Sequence, residues 1–569
     1  MKAKKVTSTK SPAQSAWKWY ALLFVALFVA GLAVYSPALH GPFLFDDNSL
    51  PFRMPGYPTE LRAWLGAVRP LLMVTYWVNA QISLEDTYSY HAVNVIFHGV
   101  ATFLLFLVVR RLLQIARVPD KRDLLAAIAA AIFLLHPVQA ESVAYIAGRP
   151  DCLSTLFLLG AFAAFLYRPA AMTWIRSGVV LVLFLLALAS KEQAVALVPL
   201  LLFTDYWWNP GFSLSGIRAN WKLYVPVFAG AAAGVAFLWE LVVSAPTAGF
   251  GMKDFTWYQY FFTQCRALFV YLRLFLAPYG QTLDYDFPIS MNVMQHGALI
   301  GLIVLAAITV LAWMWRKRYP LGAYGWFVFL ILMSPTSSIL PIRDPIAERR
   351  MYLGMLGLLL IVMEVLRQAK LERKALIIVL AAVSALGFGL TYARAGIWSS
   401  NTALWEDTVA KSPTKYRAHF QLASSYYQEN RCDAAVQQFE IAAKLQKPNY
   451  DLLLDWGLAL DCLNRPDEAI AKMREAAALD PIAHVYTQIA MVYAKRQRWS
   501  DALDALASAE RADANYPILW VYRGGVHLST NDAATAVKDY SRALALDPNN
   551  QQAQEGLAMA QRALSGAVR

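Results

Sequence analysis

Charge is scarce in this chain. Of its 569 residues 16% are charged and 58% hydrophobic, whereas ordinary soluble domains run near a quarter charged, so a water-soluble globule from end to end is excluded. Cysteine is scarcer still. Cys152, Cys265, Cys432 and Cys462 form no CxxC pair, and a structural zinc site is not expected. No glycine-rich nucleotide-binding loop occurs. The basic residues 1–18 run into an apolar stretch that lacks a small-residue cleavage site, so that stretch is expected to stay as a first membrane helix. The formal net charge of +12 does not point to nucleic acid, because much of the Lys and Arg sits in short clusters between apolar runs, as in cytoplasmic membrane loops.

What the chain has instead is apolar length. A helix needs about 20 mainly apolar residues to cross hydrocarbon, since its backbone polar groups must be satisfied internally. Eleven candidate spans are expected, at 19–36, 91–113, 123–137, 152–167, 174–190, 192–206, 223–243, 297–315, 321–339, 351–366 and 375–392. With a cytoplasmic N-terminus, Arg110-Arg111, Lys121-Arg122, Arg316-Lys317-Arg318 and Arg373-Lys374 all fall inside, and an odd number of crossings puts the C-terminal third outside. The outside segments 37–90, 244–296 and 340–350 are then on one face. Two of them are long and aromatic-rich, and 68–82 and 256–276 read as helices lying in the membrane interface. Long structured loops on one face usually carry function.

After residue 414 the sequence repeats. Small residues recur at Ala423, Gly457, Ala490 and Gly524, spaced 34, 33 and 34 apart, and again twelve later at Ala435, Ala469, Ala502 and Ala536. Bulky residues follow at Phe439, Met473, Leu506 and Tyr540, then Ala442, Ala476, Ala509 and Ala543. This resembles the tetratricopeptide pattern, in which small residues let paired helices approach closely, and 551–564 is expected to cap it. The expected organisation is all-α: a basic N-terminus (1–18), a membrane domain (19–400) and a helical solenoid (401–569) of four repeats plus a cap. In that frame Cys432 enters the second helix of one unit and Cys462 ends the first helix of the next. Antiparallel packing brings them within the ~4.4–6.8 Å Cα range of a disulfide; two unpaired thiols in a cytoplasmic array is the alternative.

The polar residues of the apolar region fall in short motifs. Asp46 and Asp47 follow the first span and could serve as a general base, hold a cation or cap a helix. His91, Asn94 and His98 share one helix face, for metal binding or for hydrogen bonds between helices. Glu141 and Arg149 follow His136-Pro137, Lys191-Glu192 sits between two spans, Asp284 and Asp286 lie in an aromatic segment, and Glu348-Arg349 opens a span. Arg149 and Lys191 could meet an anionic headgroup, or the charges could simply pair.

Together FDD after the first span, RPL, YH with Asn94 and His98, HP with Glu141, RPD, SKE, LDYDFP and AERRMYL resemble, in order, the transmembrane tetratricopeptide O-mannosyltransferases and their bacterial relatives. The resemblance implies a GT-C glycosyltransferase fold, a polyprenyl-phosphate-linked sugar as donor and work on the outer face of the inner (plasma) membrane, with the array in the periplasm. It implies Asp46 as base, Asp47 as its support and Arg349 on the donor phosphate, helped by Arg149 or Lys191. Glu348, His91, Asn94, Glu141 and Asp284 would support them. No organic cofactor is implied, and a divalent metal is left open. The array would hold an acceptor protein; a lipid or glycan acceptor, or a non-enzymatic scaffold for envelope or pilus assembly, are the competing readings. Arg350-Met351 departs from the bulky apolar or aromatic pair common in relatives.

Overall fold

The computed structural model describes residues 12–54, 59–118, 121–231 and 249–566. Much of the expected basic N-terminus and of the expected span 223–243 lies outside the described residues. The described elements are α- and 3-10 helices, in two compact units, Met1–Asp407 and Thr408–Arg569. The division falls inside the helix Asn401–Lys411 rather than at 400.

In the first unit, five described helices are long and apolar enough to cross a membrane: Tyr88–Ile115, Ile146–Leu166, Gln295–Met314, Glu348–Gln368 and Arg373–Ile397. Three expected spans are instead shorter apolar helices, Lys18–Val34, Trp174–Leu188 and Pro320–Met333. The expected span 192–206 is a 3-10 turn, Glu192–Ala196, followed by the short helix Leu197–Trp207. The expected span 123–137 is broken: Arg122–Leu134 and Pro137–Val143 meet at a 50° bend, because Pro137 has no N–H to continue the helix. His136 Nδ1 accepts the Val138 N–H there, at 3.2 Å. Among the described residues five helices, or six with the bent pair taken as one, have the length and apolarity of a crossing, where eleven spans were expected. The stretches expected at the interface are helices, Pro70–Ser83 and Trp257–Leu276.

Close backbone approach sets the bundle. Pro320–Met333 packs along Met351–Gln368, and a Cβ on Gly357 would stand 2.3 Å from Phe329 N while one on Gly325 would stand 2.5 Å from Gly357 O. Only glycine permits that approach. It holds the N-terminal end of the second helix, and with it Glu348 and Arg349, against the body of the unit.

The second unit is four antiparallel helix pairs and a closing helix, Gln551–Gly566. Each of the small residues named above is buried, the two glycines included. Residues Asn430, Asn464, Gln497 and Asn531 turn each pair with φ between 57° and 61°, the left-handed region that Asn tolerates best among residues with a side chain. Cys432 and Cys462 are joined as a disulfide, with Cα atoms 6.1 Å apart across a sequence separation of 30. Closing a loop of that length is worth about 3 kcal/mol in the chain-entropy model. Reductant should therefore lower the array's thermal transition in the full chain but leave that of Cys432→Ser where it already lies. A wild-type transition that ignores reductant would rule this out.

Candidate functional site

The first loop turns the two adjacent acids to opposite environments. Phe45–Ser49 is a 3-10 helix entered through Phe45 at a φ of 42°, a strained value of the kind that gathers at functional sites. Asp47 is buried: its Oδ2 accepts the Leu44 N–H at 2.9 Å and its Oδ1 the Ala147 N–H at 2.7 Å. Asp46 is exposed, and its backbone N–H donates to the Tyr145 hydroxyl at 2.8 Å. Each Asp47 oxygen thus accepts one backbone donor, which fixes the carboxylate in the loop. Among the described residues no group of three or more His, Cys, Asp or Glu side chains could hold a metal.

Burial pushes the Asp47 carboxyl up from 3.8 to about 8, with the Asp46 charge adding to the rise; the two backbone donors and Arg149 pull the other way. An acid whose folded value is raised keeps its proton while the unfolded chain loses it, so its contribution to stability is full at low pH and declines as pH climbs from about 4 to about 8. Asp47→Asn should flatten that decline in a melting-temperature series across the same window. A wild-type series that rises with pH as steeply as the mutant's would contradict it.

Residues 140–148 form the wall beside this loop. They run through the turn Ala140–Val143 and the 3-10 helix Ile146–Gly148, and a Cβ on Gly148 would come within 2.5 Å of Glu141 O. Asn94 Nδ2 donates to Tyr145 O at 2.9 Å and to Val143 O at 3.3 Å. Its Oδ1 accepts from Arg149 Nε at 2.8 Å. Arg149 is fully buried, donating to Tyr90 O at 3.0 Å and Thr75 Oγ1 at 3.2 Å, with its guanidinium 4.3 Å from the Tyr76 ring centre. Expected on the donor phosphate, Arg149 is instead enclosed as a brace for this wall. His91 Nε2 lies 3.2 Å from Gly41 O. His98 bonds Tyr352 OH at 2.7 Å and Leu134 O at 3.1 Å, so His91 ties its helix to the first loop, His98 links helices, and the two do not converge.

The wall carries the ion pairs of the site. Glu141, buried, accepts the Arg349 N–H at 3.0 Å and also bonds Arg349 Nη1, while the Arg349 side chain remains 31% exposed. Lys191 Nζ donates to Asp151 Oδ1 at 2.6 Å, and Gln193 Nε2 reaches the same oxygen at 3.1 Å. Arg69 holds Glu192 through two bonds of 2.9 and 2.8 Å. Burial pushes the Lys191 ammonium below its ordinary range against the pull of Asp151, and the like charges of Arg69 and Arg349 push the same way. Lys191 thus stands within electrostatic reach of two further cations. Sequence reasoning missed Arg69 as a site residue; its signal was the RPL motif.

Glu348 faces inward. Its carboxylate accepts from Gln281 Nε2 (2.6 Å), the Thr282 N–H (2.8 Å) and Tyr285 OH (2.8 Å), with Arg394 at 3.8 Å. It therefore ties the 281–285 segment, including the buried Asp284, to the start of the Arg349 helix. Arg350 is also buried, donating to Tyr260 OH at 3.1 Å and to Pro345 O at 2.9 Å. Tyr145 is within electrostatic reach of Asp46, Asp47 and Arg349, and its hydroxyl accepts the Asp46 N–H.

A tetratricopeptide-repeat family model matches residues 420–483 and 487–565. A protein O-mannosyl-transferase of Caenorhabditis elegans is 23% identical over 396 residues, which is 67% of this chain and 54% of the relative. Protein O-mannosyl-transferase TMTC3 of Mus musculus is 33% identical over 151 residues, 26% of this chain and 15% of the relative. The chain thus spans about half the length of the first relative and much less of the second. Among solved structures, the tetratricopeptide protein YrrB covers 32% of this chain and 88% of its own at 19% identity, with a TM-score of 0.24. The chain is thus similar to protein O-mannosyl-transferases, and its C-terminal part to tetratricopeptide repeats.

Proposed function

We propose that the chain is a GT-C-type membrane glycosyltransferase that moves a sugar from a polyprenyl-phosphate donor to a Ser or Thr hydroxyl of an acceptor protein, with inversion. The observation that carries this reading is that one wall, residues 140–148, meets both the loop of the exposed acid Asp46, through the Tyr145 hydroxyl, and the partly exposed Arg349, through Glu141. Asp46 takes the acceptor hydroxyl proton, the oxygen forms its bond to the anomeric carbon, and the bond from that carbon to the phosphate oxygen breaks on the opposite face. The charge that develops on the leaving phosphate is met by Arg349 with Lys191, preorganised by Glu141 and Asp151. Asp47, Asn94, Arg149 and His91 hold the walls in place. Glu348 and Asp284 hold the far side.

The reaction face is the outer, periplasmic one. The Lys and Arg clusters lie at the other ends of the helices, and the Cys432–Cys462 bond belongs in an oxidising compartment. The repeat array recruits the acceptor protein. Intact mass of envelope proteins from cells with and without the chain tests the reading: an acceptor lighter by one hexose or N-acetylhexosamine without it is expected. Sugar lost only from lipid or glycan would refute the protein acceptor.

A further inference from the structure

A polar cavity of about 300 Å³ opens between the ends of three helices, lined by Arg111, Arg168, Thr204, Asp205, Asn209 and Gly216 among others. It belongs to the other end of the bundle from Asp46 and Arg349. Asn94, which braces the site wall, and Arg111, which lines the cavity, lie on one helix, about 25 Å apart at 1.5 Å per residue. Its charges are unequal. Asp205 is fully engaged: Arg168 takes Oδ1, and Asn220 Nδ2 and Tyr224 OH donate to Oδ2, each at 2.7 Å. Arg111 donates Nε to Leu166 O at 3.0 Å and Nη1 to Gln114 Oε1 at 2.8 Å. Among the described residues it has no carboxylate partner. The cavity thus keeps one unneutralised guanidinium, a group whose fork of donors suits phosphate.

The surroundings are those of a membrane surface. Trp174 and Trp221 stack edge to face at 5.5 Å, both more than half exposed, as aromatic residues do at the level of lipid headgroups. A second, more apolar cavity of about 320 Å³, lined by Ala164, Tyr167, Arg176 and Val179, lies at the same helix end. The Arg176 guanidinium there donates to Tyr167 O, at 3.4 Å, and it too lacks a carboxylate partner among the described residues. Basic pockets between helices at a membrane face bind anionic headgroups. We propose that the polar cavity binds the phosphate of an anionic glycerophospholipid through Arg111, with the start of an acyl chain in the apolar cavity beside it. This site is separate from the donor site and independent of the transferase reading.

The full chain, delipidated in neutral detergent, is titrated with phosphatidylglycerol and read by native mass spectrometry, alongside Arg111→Gln and Ala170→Trp. Ala170 is an exposed lining residue, so the indole fills the mouth without removing a charge or disturbing the core. Each substitution should raise the apparent Kd for phosphatidylglycerol by about tenfold, or about 1.4 kcal/mol, with phosphatidylcholine retained more weakly by the wild-type chain. Wild-type affinity in both variants overturns the site. Equal retention of phosphatidylcholine overturns the anionic selectivity. Displacement of the lipid by low-millimolar inorganic phosphate overturns the lipid assignment in favour of a free phosphate.

Discussion

Asp46→Asn should lower sugar transfer by about 10²-fold or more and leave the melting temperature of the chain unchanged. The substituted amide keeps the size of the carboxylate and cannot accept the acceptor's proton. Asp46 is exposed, and substitutions at exposed positions usually alter stability by no more than about 0.5 kcal/mol. Asp47→Asn should behave differently. Both Asp47 oxygens accept backbone N–H groups, so an amide must turn its NH₂ toward one of those donors, and the loop loosens before any chemistry is affected. The measurement is transfer from a polyprenyl-phosphate sugar to an acceptor peptide, with thermal melting of the same preparations. Near-normal turnover in Asp46→Asn together with a well-folded, inactive Asp47→Asn would move the base by one residue. If both variants transfer normally, neither acid is the base; a wild-type chain that transfers no sugar would leave the scaffold reading.

Arg349→Ala should lower kcat/KM for the donor by about 10²- to 10³-fold, the usual loss when one group that stabilises transition-state charge is removed. It should also destabilise the chain, since Glu141 is buried and Arg349 is its ion-pair partner. Breaking such a pair by removing one member typically costs about 3–5 kcal/mol. The two effects separate in a double variant. Glu141→Gln removes the stranded charge, so Arg349→Ala with Glu141→Gln should regain much of the lost stability and none of the lost transfer. Recovery of transfer along with stability would show that Arg349 acts only through the fold. Arg349→Lys adds a graded check: the positive charge remains but the planar fork does not, and an intermediate donor KM is expected.

The repeat array and the apolar runs were legible in the sequence because both are written in local spacing. A helix pair that stacks on its like needs small residues at the contact every 33 to 34 positions, and Ala435, Ala469, Ala502 and Ala536 are there and buried. The same frame set Cys432 and Cys462 near each other but left the bond open against two unpaired thiols, and the structure joins them. Hydropathy marked where apolar helices lie but not how long each remains straight. Pro137 broke one expected span, and the residues of another divided into a 3-10 turn and a short helix. The division of labour within the site was decided only by tertiary packing. Asp46 and Asp47 are adjacent and chemically identical, and what separates them is that Ala147, 100 residues away, offers its N–H to one of them. Arg149 and Arg69 look equally fit for phosphate as residues, yet Asn94 and Tyr90 enclose the first while the second stays half open beside Glu192. Glu141 and Arg349 lie 208 positions apart. Burial and ion pairing depend on which helix faces meet, and no local period in the chain encodes that meeting.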